Sequence, residues 1–244
     1  MKKIAKRILF ILIISAFVYL LVIYLSLPTV AYLANKNPET TALIQARLEE
    51  SSQDNKKLRI HQTWVSFNQI PDVLKITIRI SEDAGFYQHE GVDFTELQES
   101  IKRNLDEGRI VRGGSTITQQ LAKNLYLSTD KSYVRKLKEY FIARRLENII
   151  SKNRIFHLYL NVIEFGPGIF GVQAASQHFF NKNVADLNLE ECVRLTAVIP
   201  RPLSMNPNSK SHWMKWKAGW ILSKMWQYKY ITKNEYDRTL VKFL

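Results

Sequence analysis

Carboxylates, a histidine and two glycines are grouped in the segment Ser81-Glu-Asp-Ala-Gly-Phe-Tyr-Gln-His-Glu-Gly-Val-Asp93, directly after an apolar run. The apolar run, Leu74–Ile80, alternates as a strand would, but Pro71 near its start is typical of a helix, so both structures stay open. A carboxyl group at the end of an apolar run is partly desolvated, which suits it to proton transfer. Glu82 is therefore a candidate general acid or base, and the alternative is a structural role in a cap or surface loop.

A second polar segment, Arg112-Gly-Gly-Ser-Thr-Ile-Thr-Gln-Gln-Leu-Ala-Lys-Asn124, combines glycines with hydroxyl and amide side chains. Glycines permit close approach of the backbone to a ligand, and neutral donors and acceptors suit sugar hydroxyls or phosphate oxygens. The segment lacks the G-x-x-x-x-G-K-[ST] spacing of a phosphate-binding P-loop. We therefore expect contact with an oxygen-rich ligand, but by another arrangement.

A third group of charged residues lies within a helix predicted from Tyr133 to Ile150, and it includes Arg135, Lys136 and Glu139. Arg135 and Glu139 are four residues apart and share a helix face, so a surface ion pair worth about 0.2–0.5 kcal/mol is the simplest interpretation. The pattern alone does not distinguish that ion pair from a binding site.

Most of the remaining chain shows helical periodicity, which predicts a mainly α fold. Asp93-Phe-Thr-Glu96 has the spacing of a capping box ahead of a helix that continues through Leu105. Further helices are predicted at 41–50, 155–163, 171–180, 189–199 and 211–228. Two apolar groups allow either core packing or contact with a membrane, namely Leu125-Tyr-Leu127 and the helically spaced Trp213, Trp216, Trp220 and Trp226.

The N-terminal region reads as a membrane anchor. No residue between Arg7 and Lys36 is charged, and the stretch from Ile8 to Leu27 is apolar except for its serines. At about 1.5 Å per residue this stretch spans roughly 30 Å of hydrocarbon. A signal peptide would have a shorter apolar region, of about 7–15 residues, so an uncleaved anchor is favoured. The basic residues before it predict a cytoplasmic N-terminus and an exported remainder.

These features predict a cytoplasmic tail at 1–7, a transmembrane anchor at 8–28, a linker at 29–60 and one folded domain at 61–244. Of the 244 residues, 46% are hydrophobic and 11% aromatic, which excludes a disordered chain. The net charge of +13 suggests an anionic partner, and an exported domain makes nucleic acid an unsuitable one. Cys192 lies in an apolar-periodic stretch, which predicts a small buried side chain and not a nucleophile.

Taken in order, these segments resemble the peptidoglycan glycosyltransferases of family 51, over roughly Val65 to Pro207. The blocks that carry the resemblance are 82–93, 113–124, 135–147, 159–175 and 200–207. One anchor followed by one such domain is similar to the monofunctional members of that family. The sequence departs from the family pattern at His157, where an acidic residue is usual.

The resemblance implies a mainly α, lysozyme-like bilobal glycosyltransferase domain behind one N-terminal transmembrane helix. It implies that the protein elongates β-1,4 glycan strands from lipid II and releases undecaprenyl pyrophosphate, with inversion at the anomeric carbon. Glu82 would be the general base for the acceptor hydroxyl, and Glu139 would assist departure of the pyrophosphate, by holding a divalent cation or by orienting Arg135. The remaining residues carried over as substrate-binding are Asp83, Phe86, His89, Gly114, Ser115, Thr116, Gln119, Gln120, Lys123, Asn124, Arg135 and Lys136.

The same resemblance implies Mg²⁺ or Mn²⁺ as a cofactor, with Glu139 as its candidate ligand, and no organic cofactor. Expected partners are lipid II, the nascent glycan chain, the lipid bilayer and proteins of cell-wall synthesis or division. The expected location is the inner membrane, single-pass, with a periplasmic catalytic domain. Two alternatives stay open: a lysozyme-like glycan hydrolase in which Glu82 protonates a glycosidic oxygen, and a catalytically inactive membrane adaptor.

Overall fold

The structure is a computed structural model that describes residues 2–55, 57–108, 113–130 and 132–243. Within these residues the α-helices are α1 (Lys2–Leu25), α2 (Ala42–Gln53), α3 (Asp72–Glu82), α4 (Phe94–Asp106), α5 (Ile117–Tyr126), α6 (Tyr133–Ile149), α7 (Lys152–Val162), α8 (Val172–Phe180), α9 (Leu189–Val198), α10 (His212–Gln227) and α11 (Lys233–Leu240). The prediction of a mainly α fold is confirmed.

One small sheet accompanies the helices in the described part of the chain. Its strands are β1 (His61–Gln62), β2 (Glu164–Gly166) and β3 (Ile169–Phe170), in the order β1-β3-β2. β1 runs parallel to β3, with His61 opposite Ile169, and β2 runs antiparallel to β3. The sheet therefore attaches the segment before α3 to the turn that follows α7.

The helices pack in two groups. In the first, α5 lies against α2, α6 and α7. In the second, α3, α9 and α10 pack against one another, and α11 covers α10. α8 contacts both α7 and α9 and so joins the groups. This arrangement agrees with the expected two lobes, and it places the end of α3 beside the start of α5.

The ambiguous run before Glu82 is helical. α3 begins at Asp72, directly after Pro71, which needs no amide hydrogen bond at that position. Leu74 and Ile78, four residues apart, are fully buried on one face of the helix. The alternation of apolar residues does not mark a strand here, because α3 is covered by both α9 and α10 and so needs apolar residues over a wide face.

The other predicted helices are present, with ends within about three residues of the predicted ones. Asp93 caps α4 by accepting from the Glu96 amide, as expected. α11 was not predicted, although Thr232-Lys-Asn-Glu235 has capping-box spacing, and both bonds of that box are present. Cys192 is fully buried in α9, as expected, and burial raises its pKa to about 12.

The two open packing questions have different answers. Leu125 is buried in the core, with Tyr126 and Leu127 packed against it, so core packing is correct for this segment. Trp220 also packs against the core, whereas Trp216 is 54% exposed. The tryptophans therefore do not share one environment.

α1 is long and apolar enough to span a membrane: an 18-residue window within Lys3–Leu25 has a mean hydropathy of 3.0. At its end, the Tyr24 ring packs edge-on against Phe141 of α6, and the Arg145 guanidinium lies 5.0 Å from the Tyr24 ring centre. Arg145 also donates to the carbonyls of Leu27 and Pro28, at 3.3 and 3.2 Å. The chain leaving α1 is thus held against α6.

Candidate active site

Glu82, the last residue of α3, is held by a chain of hydrogen bonds that starts in the core. The Tyr159 hydroxyl donates to Oε1 of Gln120 at 3.0 Å, and Nε2 of Gln120 donates to Oε2 of Glu82 at 3.1 Å. Oγ of Ser81 donates to the other oxygen, Oε1, at 2.8 Å. A carboxylate only accepts, so the amide group of Gln120 must face Glu82 and its oxygen must face Tyr159. The orientation of the Glu82 carboxylate is therefore fixed from both sides.

Tyr159 is fully buried in α7. Burial raises the pKa of its phenol well above the usual value, and the negative charges of Glu82 and Asp83 raise it further. The hydroxyl therefore remains a proton donor at any working pH.

Asp83 and His89 connect the loop after α3 to the start of α5. Oδ2 of Asp83 accepts from the backbone N–H of Ile117, the first residue of α5, at 3.0 Å. The Gly91 amide donates to Nδ1 of His89, so the ring proton lies on Nε2, which donates to Asp83 at 2.9 Å. A carboxylate at a helix N-terminus also interacts favourably with the helix dipole. The polar atoms of both side chains are thus used within the protein, where they fix α5 relative to Glu82.

Three residues predicted to bind substrate, Thr116, Gln119 and Phe86, have side chains that are buried and used within the fold. Thr116 caps α5: it accepts from the Gln119 amide and donates to the carbonyl of Gly91. Gln119 returns a bond to the Thr116 amide, and both side chains are buried. Phe86 is fully buried against Phe156. These side chains stabilise the start of α5 and the core beside it.

Gly114 and Ser115 precede α5. A Cβ at Gly114 would lie 3.0 Å from the Leu97 side chain, so glycine allows this loop to approach α4. Ser115 is exposed, and its Oγ accepts from Nζ of Lys136 at 3.1 Å. Ser115 is therefore accessible for the predicted contact, while Gly114 serves close packing.

Glu139 is the centre of a charged cluster between α5 and α6. Its side chain is buried, and its two oxygens are paired separately: Oε2 with Arg135 at 2.8 Å and Oε1 with Lys136. Glu139 therefore holds Arg135 in one orientation. The spacing in the sequence was equally consistent with a simple ion pair on the protein surface. Burial of Glu139 excludes the surface interpretation.

Lys123 in α5 faces the same cluster, but its side chain makes no hydrogen bond or ion pair within the described residues. Burial lowers its pKa; the charge of Glu139 raises it, and the charges of Arg135 and Lys136 lower it. The buried side-chain amide of Asn124 likewise makes no hydrogen bond with any described residue. Every fully buried side-chain nitrogen or oxygen in the described chain has a hydrogen-bond partner. Because the side chains of Lys123 and Asn124 have none, their polar atoms are not fully buried and are open to a ligand.

Arg135 and Lys136 already neutralise the charge of Glu139, one on each of its oxygens, so a divalent cation would compete with two positive groups there. The described residues contain no group of three or more His, Cys, Asp or Glu that could hold a metal by themselves. The buried carboxylate contacts Arg135 directly and sets the position of its guanidinium.

Two residues near Glu82, Tyr159 and Lys217, were not among the predicted site residues. Tyr159 begins the family block 159–175, but its apolar surroundings in the sequence gave no signal of a role in the site. Lys217 did give one, because it falls on the buried face of α10, between Met214 and Ile221. A single charge on an apolar helix face is unusual unless it is paired or functional.

Comparison with known proteins identifies the family of this chain. The transglycosylase family profile matches residues 49–226. A protein of Nitrosospira multiformis, named biosynthetic peptidoglycan transglycosylase, is 43% identical over 189 residues, which cover 78% of this chain and 82% of that protein. Proteins of the same name are 40% identical in Janthinobacterium sp. (91% of this chain, 97% of that protein) and 40% identical in Neisseria gonorrhoeae (77% and 81%). The chain therefore belongs to the transglycosylase family.

Proposed function

We propose that this protein polymerises glycan strands of peptidoglycan from lipid II and releases undecaprenyl pyrophosphate. The observation that carries the proposal is a glutamate held in one orientation, Glu82, near a separate cluster of cations at the start of α6. A glycosyl transfer from a lipid pyrophosphate needs both: a base for the attacking hydroxyl, and positive charge for the leaving group. The family and the names of the relatives support the same activity.

Glu82 acts as the general base. An alcohol is a weak nucleophile, so its proton must leave as the hydroxyl attacks the anomeric carbon. The bonds from Ser81 and Gln120 use one lone pair on each carboxylate oxygen. The remaining lone pairs are free to accept the proton of the acceptor's 4-hydroxyl.

Lys123 and Arg135 bind the pyrophosphate. Negative charge grows on this group as the glycosidic bond breaks, and cations with unused donors stabilise it. Arg135 offers a planar pair of N–H donors suited to phosphate oxygens, and Glu139 keeps it in place. We derive no step through a metal ion, because Arg135 and Lys136 already pair with Glu139. Asn124 and Ser115 supply neutral contacts to the same ligand.

The anchor places this site at a membrane that holds the substrate. We infer that the N-terminus is cytoplasmic and that the catalytic domain lies on the outer side of the inner membrane. The positively charged residues before the apolar stretch support this orientation. The contacts of Arg145 with the chain leaving α1 keep the domain close to the bilayer surface.

Glu82→Gln is the decisive variant. The purified full-length protein in detergent, given lipid II, should form glycan strands, and Glu82→Gln should abolish strand formation with an unchanged melting temperature. Glu90→Gln, an exposed carboxylate in the same loop, is the matched control and should stay active. A folded wild-type protein that leaves lipid II unused, or that cleaves preformed glycan instead, would contradict the proposal.

The proposed binding of the pyrophosphate by Lys123 and Arg135 is tested separately. Lys123→Ala and Arg135→Ala should each lower turnover by about 10²–10³-fold, as expected for removing one group that stabilises transition-state charge. Lys210→Ala changes an exposed lysine outside the cluster and should leave turnover unchanged. Equal losses in all three variants would argue against a specific pyrophosphate site.

A further inference from the structure

Lys217 occupies a position where lysine is rarely found. It lies on the buried face of α10, and only 9% of the residue is exposed. Fully burying an ammonium is unfavourable unless its donors are paired. A lysine in such a place is therefore expected to have a partner in the protein or in a ligand.

The protein supplies no such partner within the described residues. The side chain of Lys217 makes no hydrogen bond and no ion pair there, and Nζ lies over the face of the Trp220 ring, 4.6 Å from its centre. Every fully buried side-chain nitrogen of the described chain has a partner, so Nζ of Lys217 must retain access to open space. Its stem is buried, and its charged end keeps a small exposed surface.

The charge that faces Lys217 is that of Glu82. α10 packs directly against α3, which ends at Glu82. Burial lowers the pKa of Lys217, and the charge of Glu82 opposes that effect. The two helix groups thus hold similar arrangements: the side chain of Lys123 has no protein partner near Glu139 in one, and that of Lys217 has none near Glu82 in the other.

We propose that Lys217 binds the acceptor substrate, by donating to a sugar oxygen next to the hydroxyl that Glu82 deprotonates. This inference rests on the proposed function, since it assigns a residue to the acceptor of that reaction. The donor pyrophosphate already has its cations on α5 and α6, whereas Lys217 comes from α10 and faces the base. An ammonium offers three N–H donors, and the attraction of the Trp220 ring face for Nζ favours one position of the charged group.

The test distinguishes an effect of Lys217 on binding of the acceptor from an effect on binding of the donor. A labelled lipid-linked tetrasaccharide is the donor, lipid II is the acceptor, and the initial rate of joining is measured while each is varied in turn. Lys217→Met should raise the KM for lipid II as acceptor by about tenfold to a hundredfold, the effect of losing one hydrogen bond from a charged group. The KM for the donor should change less than twofold. Lys217→Arg, which keeps the charge, should recover most of the loss.

Lys215→Met is the matched control, because Lys215 is exposed on the same helix and receives the same substitution. It should behave as the wild type. Lys217→Gln is measured as well, together with the melting temperatures, so that a folding defect in Lys217→Met does not obscure the result.

An unchanged acceptor KM in folded Lys217→Met and Lys217→Gln would overturn the inference and leave the proposed function intact. A rise in the donor KM alone would also overturn it. Failure of the wild type to join the two substrates would instead refute the proposed function.

Discussion

Tyr159→Phe tests whether the hydrogen-bond chain from the core controls Glu82. The substitution removes one hydroxyl from a fully buried ring and leaves the packing of α7 in place. Oε1 of Gln120 then loses its donor, and the amide of Gln120 becomes free to turn away from Glu82. Leaving a buried acceptor unpaired costs about 1–2 kcal/mol of folding free energy.

That cost should lower the melting temperature by about 2–8 °C for a chain of this size. The weaker hold on Glu82 should reduce kcat by about 2–12-fold, which corresponds to one hydrogen bond of about 0.5–1.5 kcal/mol. The KM for lipid II should stay within twofold, because Tyr159 is too deeply buried to contact substrate.

The assays are initial rates of glycan polymerisation from lipid II and thermal unfolding of the same detergent preparation. Tyr236→Phe in α11 is the matched control and should leave kcat unchanged, since that ring contacts Trp226 and Lys233 instead. A Tyr159→Phe protein with wild-type kcat would refute the reasoning, because Gln120 would then hold Glu82 without help from the core.

Three further predictions concern stability and reactivity. Arg47 donates two hydrogen bonds of 2.9 Å to the buried carboxylate of Glu164, and Arg47→Met removes both. The free energy of unfolding, measured by urea titration, should fall by about 3–5 kcal/mol. A change below about 1 kcal/mol would contradict this. Gly171→Ala should lower the melting temperature clearly, because its φ is +79° and a Cβ would lie 2.6 Å from the carbonyl oxygen of Asn161; an unchanged melting temperature would show that the backbone yields. Cys192 should react with a maleimide at pH 8 only after denaturation, because it is buried and its thiol pKa is raised to about 12; rapid labelling of the native protein would show an opened core.

Several elements could be predicted from local sequence. The helices follow from apolar periodicity, and their starts follow from caps such as Asp93 and Ser132. These features depend on residues within a few positions of one another, so the sequence displays them directly. The apolar helix at the N-terminus is equally local.

The assignment of site residues was less complete. Ser115, Lys123 and Arg135 lie where a ligand can reach them, but Phe86 is in the core. A polar or aromatic residue in a family block can serve the ligand or the packing, and the block looks the same in both cases. Burial separates the two functions, and burial depends on what packs over the residue.

The sequence by itself determined the helical architecture, the apolar anchor and the glutamates around which a site could form. Only the tertiary structure decided how those glutamates are held. Gln120, which donates to Glu82, lies 38 residues from it in the sequence, and Tyr159, which donates to Gln120, lies 39 residues further on. Lys217 belongs to α10, a helix near the C-terminus. Such contacts depend on how α3, α5, α7 and α10 pack, and packing is set by the summed burial of many apolar side chains, which no short pattern contains.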